Sequence, residues 1–254
     1  MIIQIYEIQT PAQAEDMIAL GVDHIGSVVL NEEAGKVPSI KETINLVHAA
    51  NAKSSLIPLF SDTDTILRLL DYYRPDIVHF CEDITNPKKN GRPLQDLIKN
   101  QERVKSKFSP IRIMRSIPIV PTGMQDVVAT LQFARMFEPV SDLFLTDTCL
   151  LNKSGMSDAQ QPVSGFIGIT GQLCDWEIAA KLVEQSCIPV ILAGGISPDN
   201  VFMGIKQVRP AGVDSCTGSN ALDSEGRPIR FKKDREKVKH LVNEVRRAEQ
   251  AFGI

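Results

Sequence analysis

The chain has 254 residues, 43% of them hydrophobic and 23% charged, enough for one large α/β barrel or two small domains with a sizeable core. A net charge of −3 gives no electrostatic case for nucleic acid or an anionic membrane surface. Five cysteines without C-x-x-C spacing point to a reducing, cytoplasmic compartment rather than a disulfide framework, and four histidines without ligand spacing offer no zinc site. The opening MIIQIYEIQT lacks the basic flank and long apolar run of a signal peptide, and no stretch approaches the roughly 20 apolar residues of a membrane span.

In chain order, residues 2–8 read as a strand, and Thr10-Pro11 opens a helix to residue 19. A second strand covers 23–30, followed by a polar loop holding Lys36 and a helix that Ser39 would cap. A third strand spans 54–60, then a helix from Asp62 or Thr63 to residue 73. Strand four is 75–81 and its helix 94–104; strand five is 111–119 and its helix 124–137. Strand six is 142–147. A long polar segment, 148–164, precedes a helix over 173–185 and reads as an active-site lid or a surface loop. Strand seven (188–193), a helix (198–208), strand eight (212–216) and a charged helix (234–250) complete the order. Eight strand–helix units with no break in composition predict one domain over 1–254, a (β/α)8 TIM barrel of parallel strands; a doubly wound open sheet is the competing architecture.

The most informative stretch is 189–200, PVILAGGISPDN. Its short apolar strand ends in Gly194-Gly195 and feeds a helix start, with Ser197 placed to cap it. Such a turn presents backbone N–H groups and a positive dipole end to an anion, or merely makes a tight βα turn. A second glycine turn, Cys216-Thr217-Gly218-Ser219-Asn220, follows the next strand. Barrel enzymes keep their chemistry at the carboxyl ends of the strands. Alternation puts Ile3, Ile5 and Glu7 on one face of strand one, and Leu143, Leu145 and Asp147 on one face of strand six. The parity that sends the aliphatics into the barrel would put each acid at its mouth, where paired carboxylates can divide into base and acid. Arg115 would face the cavity and bind an anionic group, or point to the helices and pair there. Glu82, Asp83 and His79 are weaker candidates.

LAGGISPDNV (192–201) and RPAGVDSCTGSNALDSEGRP (209–228) resemble the last third of the phosphoribosylanthranilate isomerase family, which shows LAGG-L-x-P-x-N-V, then P-x-G-V-D and a Ser-Gly turn. GITGQLCDW (168–176) is similar to that family's GGTG-x-x-F-D-W, DLFLTD (142–147) to its D-x-x-L-L-D strand, and GVDHIGSVV (21–29) to its G-A-D-x-I-G-F-V. The resemblance implies a metal-free, cofactor-free aldose–ketose isomerase of tryptophan biosynthesis, acting on a phosphorylated aminosugar as a monomer or homodimer. Asp147 would be its general acid. Gly194, Gly195, Gly218 and Ser219 would hold the phosphate, with Gly171 closing the site.

The chain also departs from the pattern. The family opens K-I-C-G-x-T with Cys as base. Matching Thr10 to that Thr puts Glu7 in the Cys position, and a one-residue shift puts Tyr6 there. Lys36 stands where an Arg would meet the anthranilate carboxylate, and His79-Phe80-Cys81-Glu82 replaces Gln-Leu-His-Gly. These departures keep open a barrel enzyme for a different phosphosugar, or a binding paralogue without activity.

Overall fold

The computed structural model describes residues 1–33, 35–85, 93–124, 128–151 and 163–254. Eight parallel strands close into a barrel: β1 (Ile2–Ile5), β2 (His24–Val29), β3 (Lys53–Pro58), β4 (Ile77–Phe80), β5 (Arg112–Ile119), β6 (Leu143–Thr148), β7 (Val190–Leu192) and β8 (Gly212–Ser215). Closure runs through a parallel ladder from Ile2↔Gly212 to Ile5↔Ser215. The covering helices are α1 (Pro11–Ala19), α2 (Pro38–Ala49), α3 (Thr63–Tyr73), α4 (Leu94–Lys107), α5 (Thr130–Phe137), α6 (Trp176–Gln185), α7 (Val201–Val208) and α8 (Arg235–Phe252).

Side-chain caps start several of these helices. Thr10 accepts from the Gln13 N–H, Asp62 from Thr65, Asp175 from Glu177 and Asp234 from Glu236. Two expected caps are corrected. Val37 precedes α2, whose first turn begins at Pro38, so Ser39 lies inside it. At the other, the Asn200 carboxamide accepts from the Ser197 N–H and donates to the Gly195 carbonyl, so 197–200 is a side-chain-closed turn and α7 begins only at Val201. The helix expected from residue 124 begins at Thr130, and residues 125–127 lie outside those described. Most of the 148–164 segment lies outside them too.

Strand parity holds on β6 and fails on β1. Leu143 and Leu145 join the barrel interior with Ile57, Met114 and Ile191, while Phe144 faces the helices. Ile3 and Ile5 also face outward, packing with Met17 and Leu241, so the inward positions of the first unit are Gln4 and Tyr6. The Gln4 amide donates to Asp214 (3.1 Å) and its carbonyl meets His24 (3.2 Å). Above them the Tyr6 hydroxyl joins Ser55 (2.6 Å) and His79 (2.8 Å), and His79 reaches Ser116 (2.8 Å). Burial, helped by the Arg115 charge, lowers His79 to about 3, so it stands as a neutral imidazole between Tyr6 and Ser116.

A hairpin missing from the sequence reading follows β8. Strands β9 (Asn220–Leu222) and β10 (Pro228–Lys233) pair antiparallel around a turn in which Asp223 and Arg227 exchange hydrogen bonds. The Lys233 ammonium bonds the Cys216 carbonyl (2.8 Å) and Asn220 (2.6 Å), tying the hairpin to the turn after β8.

Candidate active site

A cavity opens at the carboxyl ends of the strands, lined by Glu7, Asp147, Asp214, Gly171 and the turns at 193–196 and 216–218. Glu7 reaches it by a route that alternation does not describe. The strand has ended at Ile5, and Glu7 takes a left-handed backbone (φ 65°), turning its side chain back over the barrel mouth. Only 1% of it is exposed. Its carboxylate accepts from the Arg230 guanidinium Nε (2.6 Å) and from the Phe231 N–H (3.1 Å), both on β10. Tyr6, the alternative occupant of this position, also lines the cavity; its hydroxyl is bonded to Ser55 and His79, and burial pushes its phenol well above 10.

Asp147 leaves β6 with inward parity and accepts from its neighbour's amide, Thr148 N–H (2.9 Å). Burial pushes its carboxyl up to about 7, and the charge of Asp214 adds to the shift. Asp214, from the inward face of β8, rises to about 7 for the same first reason, opposed by the Gln4 amide and Lys233. Asp147 therefore holds a proton through the lower half of the neutral range. The backbone that passes it is shaped for it: Gly168 sits at φ 96°, and a side-chain carbon there would lie 2.1 Å from an Asp147 carboxylate oxygen.

The two glycine turns abut. A carbon added at Gly218 would meet the Ile196 carbonyl at 2.4 Å, and one at Gly195 the Gln172 carbonyl carbon at 2.6 Å. Ser215 Oγ also donates to the Ile196 carbonyl (2.8 Å). The β7 turn, the β8 turn and the 171–173 loop thus form one bare-backbone wall beside the acids, and Gly171, Gly194, Gly195 and Gly218 all line it.

Three expected site residues lie elsewhere. Arg115 is fully buried, donating to the Glu82 carboxylate (2.6 Å) and carbonyl (2.8 Å) beneath Phe137, so of its two readings the helix-facing pair is the one present. Lys36 is exposed over the Tyr72 ring in a separate groove between the loop after β2 and α3. Ser219 turns its hydroxyl to the Ser215 and Cys216 carbonyls, and only its neighbours Thr217 and Gly218 reach the cavity. Sequence reasoning passed over Asp214, Gly168 and Arg230. Asp214 was signalled by the inward parity of Gly212 and Asp214, and Arg230 by a Ser-Glu-Gly turn between two short β-rich runs.

Fold and site together define a TIM barrel of the enzyme type, with a protonatable carboxyl and an ion-paired carboxylate beside a wall of bare backbone at the carboxyl ends of the strands. The family model described as N-(5'phosphoribosyl)anthranilate (PRA) isomerase matches residues 94–244, more than half of the chain, and the chain belongs to that family. The N-(5'-phosphoribosyl)anthranilate isomerase of Methanosarcina acetivorans is 27% identical over 250 residues, covering 96% of this chain and 92% of that protein. Its counterpart in Methanothrix thermoacetophila is 28% identical over 236 residues, with 92% of each covered. Among solved structures, the phosphoribosyl anthranilate isomerase of Thermotoga maritima superposes with a TM-score of 0.66 at 17% identity, over 97% of this chain and 99% of that one. A structure of phosphoribosyl anthranilate isomerase in complex with reduced 1-(o-carboxyphenylamino)-1-deoxyribulose 5-phosphate matches with a TM-score of 0.65 at 16% identity, over the same shares.

Proposed function

We propose that this chain isomerises phosphoribosylanthranilate, with Asp147 as general acid and Glu7 as general base. The observation that carries the assignment is a carboxyl raised to about 7 in the same cavity as a second, ion-paired carboxylate, against a wall of glycine turns. Asp147 donates its proton to the ribose ring oxygen, the C1–O bond breaks, and the nitrogen lone pair forms the C1=N bond of an iminium. Glu7 takes the proton from C2, the C2–H electron pair becomes the enolamine C1=C2 bond as the C1=N π pair returns to nitrogen, and the enolamine takes up a proton at C1 while its C2 hydroxyl loses one to give the ketone. Each proton-transfer group contributes roughly 10²–10⁴-fold in rate.

The backbone at Gly194, Gly195 and Gly218 holds the phosphate in this reading, and Gly171 stands over it. Free Cys81, Cys149, Cys174, Cys187 and Cys216 fit the reducing, cytoplasmic setting we assign to the reaction. Loss of anthranilate fluorescence in the presence of purified protein tests the reading directly. Glu7→Gln and Asp147→Asn should each abolish turnover while the reduced deoxyribulose 5-phosphate analogue still binds. Full turnover by either variant removes that residue from its role.

One observation favours a second reading: no Lys or Arg lines the cavity among the described residues. That suits the same chemistry on a sugar phosphate whose nitrogen carries an uncharged group. Failure to rescue a tryptophan auxotroph would favour it.

A further inference from the structure

The barrel plan ends with β8 and α8, yet residues 220–233 interpose a hairpin that contributes to the site from outside the eight units. We infer that Arg230, on this hairpin, is a positioning residue for Glu7, an inference that rests on Glu7 being the base.

Glu7 holds a left-handed backbone that a non-glycine residue adopts only where its surroundings enforce it. What enforces it here is a two-pronged clamp. Arg230 Nε grips one carboxylate oxygen at 2.6 Å, and the Phe231 amide grips the other at 3.1 Å. Phe231 is itself left-handed (φ 61°), which lets its amide and the preceding guanidinium converge on one carboxylate. The clamp is anchored at both ends. The Phe231 carbonyl accepts from Gln13 of α1 (2.9 Å), and the guanidinium lies over the Phe231 ring, 4.8 Å from its centre.

Lys233 secures the hairpin to the β8 turn through the Cys216 carbonyl, and Lys237 of α8 holds it from the other side through the Asn220 carbonyl. The base is therefore held by the same element that braces the anion-binding wall. Glu7 is ion-paired with Arg230 from β10 and shares its cavity with Asp147, Asp214, Tyr6, His79 and Cys216, the last a thiol that burial pushes up to about 12; Lys233 stands behind Cys216. Arg230 is thus the cation that faces the base among the described residues.

The test uses the full chain with Arg230→Met and Arg230→Lys, each checked for a native circular-dichroism spectrum. For Arg230→Met, kcat should fall on the order of 100-fold with KM within about twofold, the cost of a base displaced by about 1 Å. Arg230→Lys, which keeps the cation, should recover part of kcat. An unchanged kcat in Arg230→Met would overturn the inference, and so would a raised KM with unchanged kcat, which would make Arg230 a substrate contact. If Arg230→Met does not fold, Arg230→Gln takes its place: the same fall in kcat with KM within about twofold supports the positioning role, and an unchanged kcat refutes it. Glu7→Gln is measured in parallel. Turnover surviving in Glu7→Gln defeats the assignment of the base, whereas a dead Glu7→Gln beside an unaffected Arg230→Met defeats the positioning role alone.

Discussion

Replacing Asp147 by Asn should remove activity and add stability, and the two effects share one cause. The carboxyl is lifted from its ordinary 3.8 to about 7, chiefly by burial. Between those values the folded chain binds a proton that the unfolded chain has released. Its contribution to stability is therefore complete below about pH 4 and lost progressively as the pH rises to 7. About three units at 1.36 kcal/mol each give a ceiling of about 4 kcal/mol. Asp147 keeps part of its surface in the cavity, where water screens it, so about 2 kcal/mol is the working figure. Asn keeps the shape and the bond from the Thr148 N–H but has no charge to bury. For a chain of this size the gain corresponds to a rise in Tm of about 4–8 °C at pH 8, shrinking toward zero near pH 4. Thermal unfolding of both proteins across that range, with turnover measured in parallel, checks it. Equal Tm values at pH 8, or an Asn variant that still turns over substrate, would refute the reasoning.

Gly168→Ala should cut kcat on the order of 100-fold with the fold intact, since the new methyl would displace the Asp147 carboxylate; steady-state kinetics beside an Ala at the open Gly226 provides the comparison. Gly218→Ala, pressed against the Ile196 carbonyl, should weaken inorganic phosphate binding at least tenfold by calorimetry. Glu82→Gln should lower stability in urea by about 3 kcal/mol by stranding the buried Arg115 charge, yet leave KM unchanged. Lys36→Met, on the far groove, should leave both kcat and KM at wild-type values.

The fold was legible because its signals are local. Each strand is a short apolar run, and Thr10, Asp62 and Asp234 cap as their types and positions suggest, while α6, expected from residue 173, begins at Trp176 behind an Asp175 cap. Asp147 was legible because β6 keeps regular alternation up to the acid. Glu7 was found through a faulty premise. Ile3 and Ile5 face the helices, and Glu7 reaches the cavity because its backbone turns left-handed after the strand ends. Nothing in period-two spacing announces that turn. Arg115 misled because β5 is buried on both faces, so inward and outward positions look alike until Glu82 arrives from the loop after β4. Arg230 lies 223 positions from its partner; the Ser-Glu-Gly turn signals its hairpin but not which side chain that hairpin meets.

That separation has a consequence for synthesis. The acid, the barrel wall and most helices emerge early, but the first strand waits for β8 to close the ring, and the residue beside it waits for β10. A nascent chain paused before residue 230 holds a near-complete scaffold with Glu7 unsecured. Catalytic competence should therefore switch on abruptly as the closing segment leaves the ribosome, instead of accumulating unit by unit.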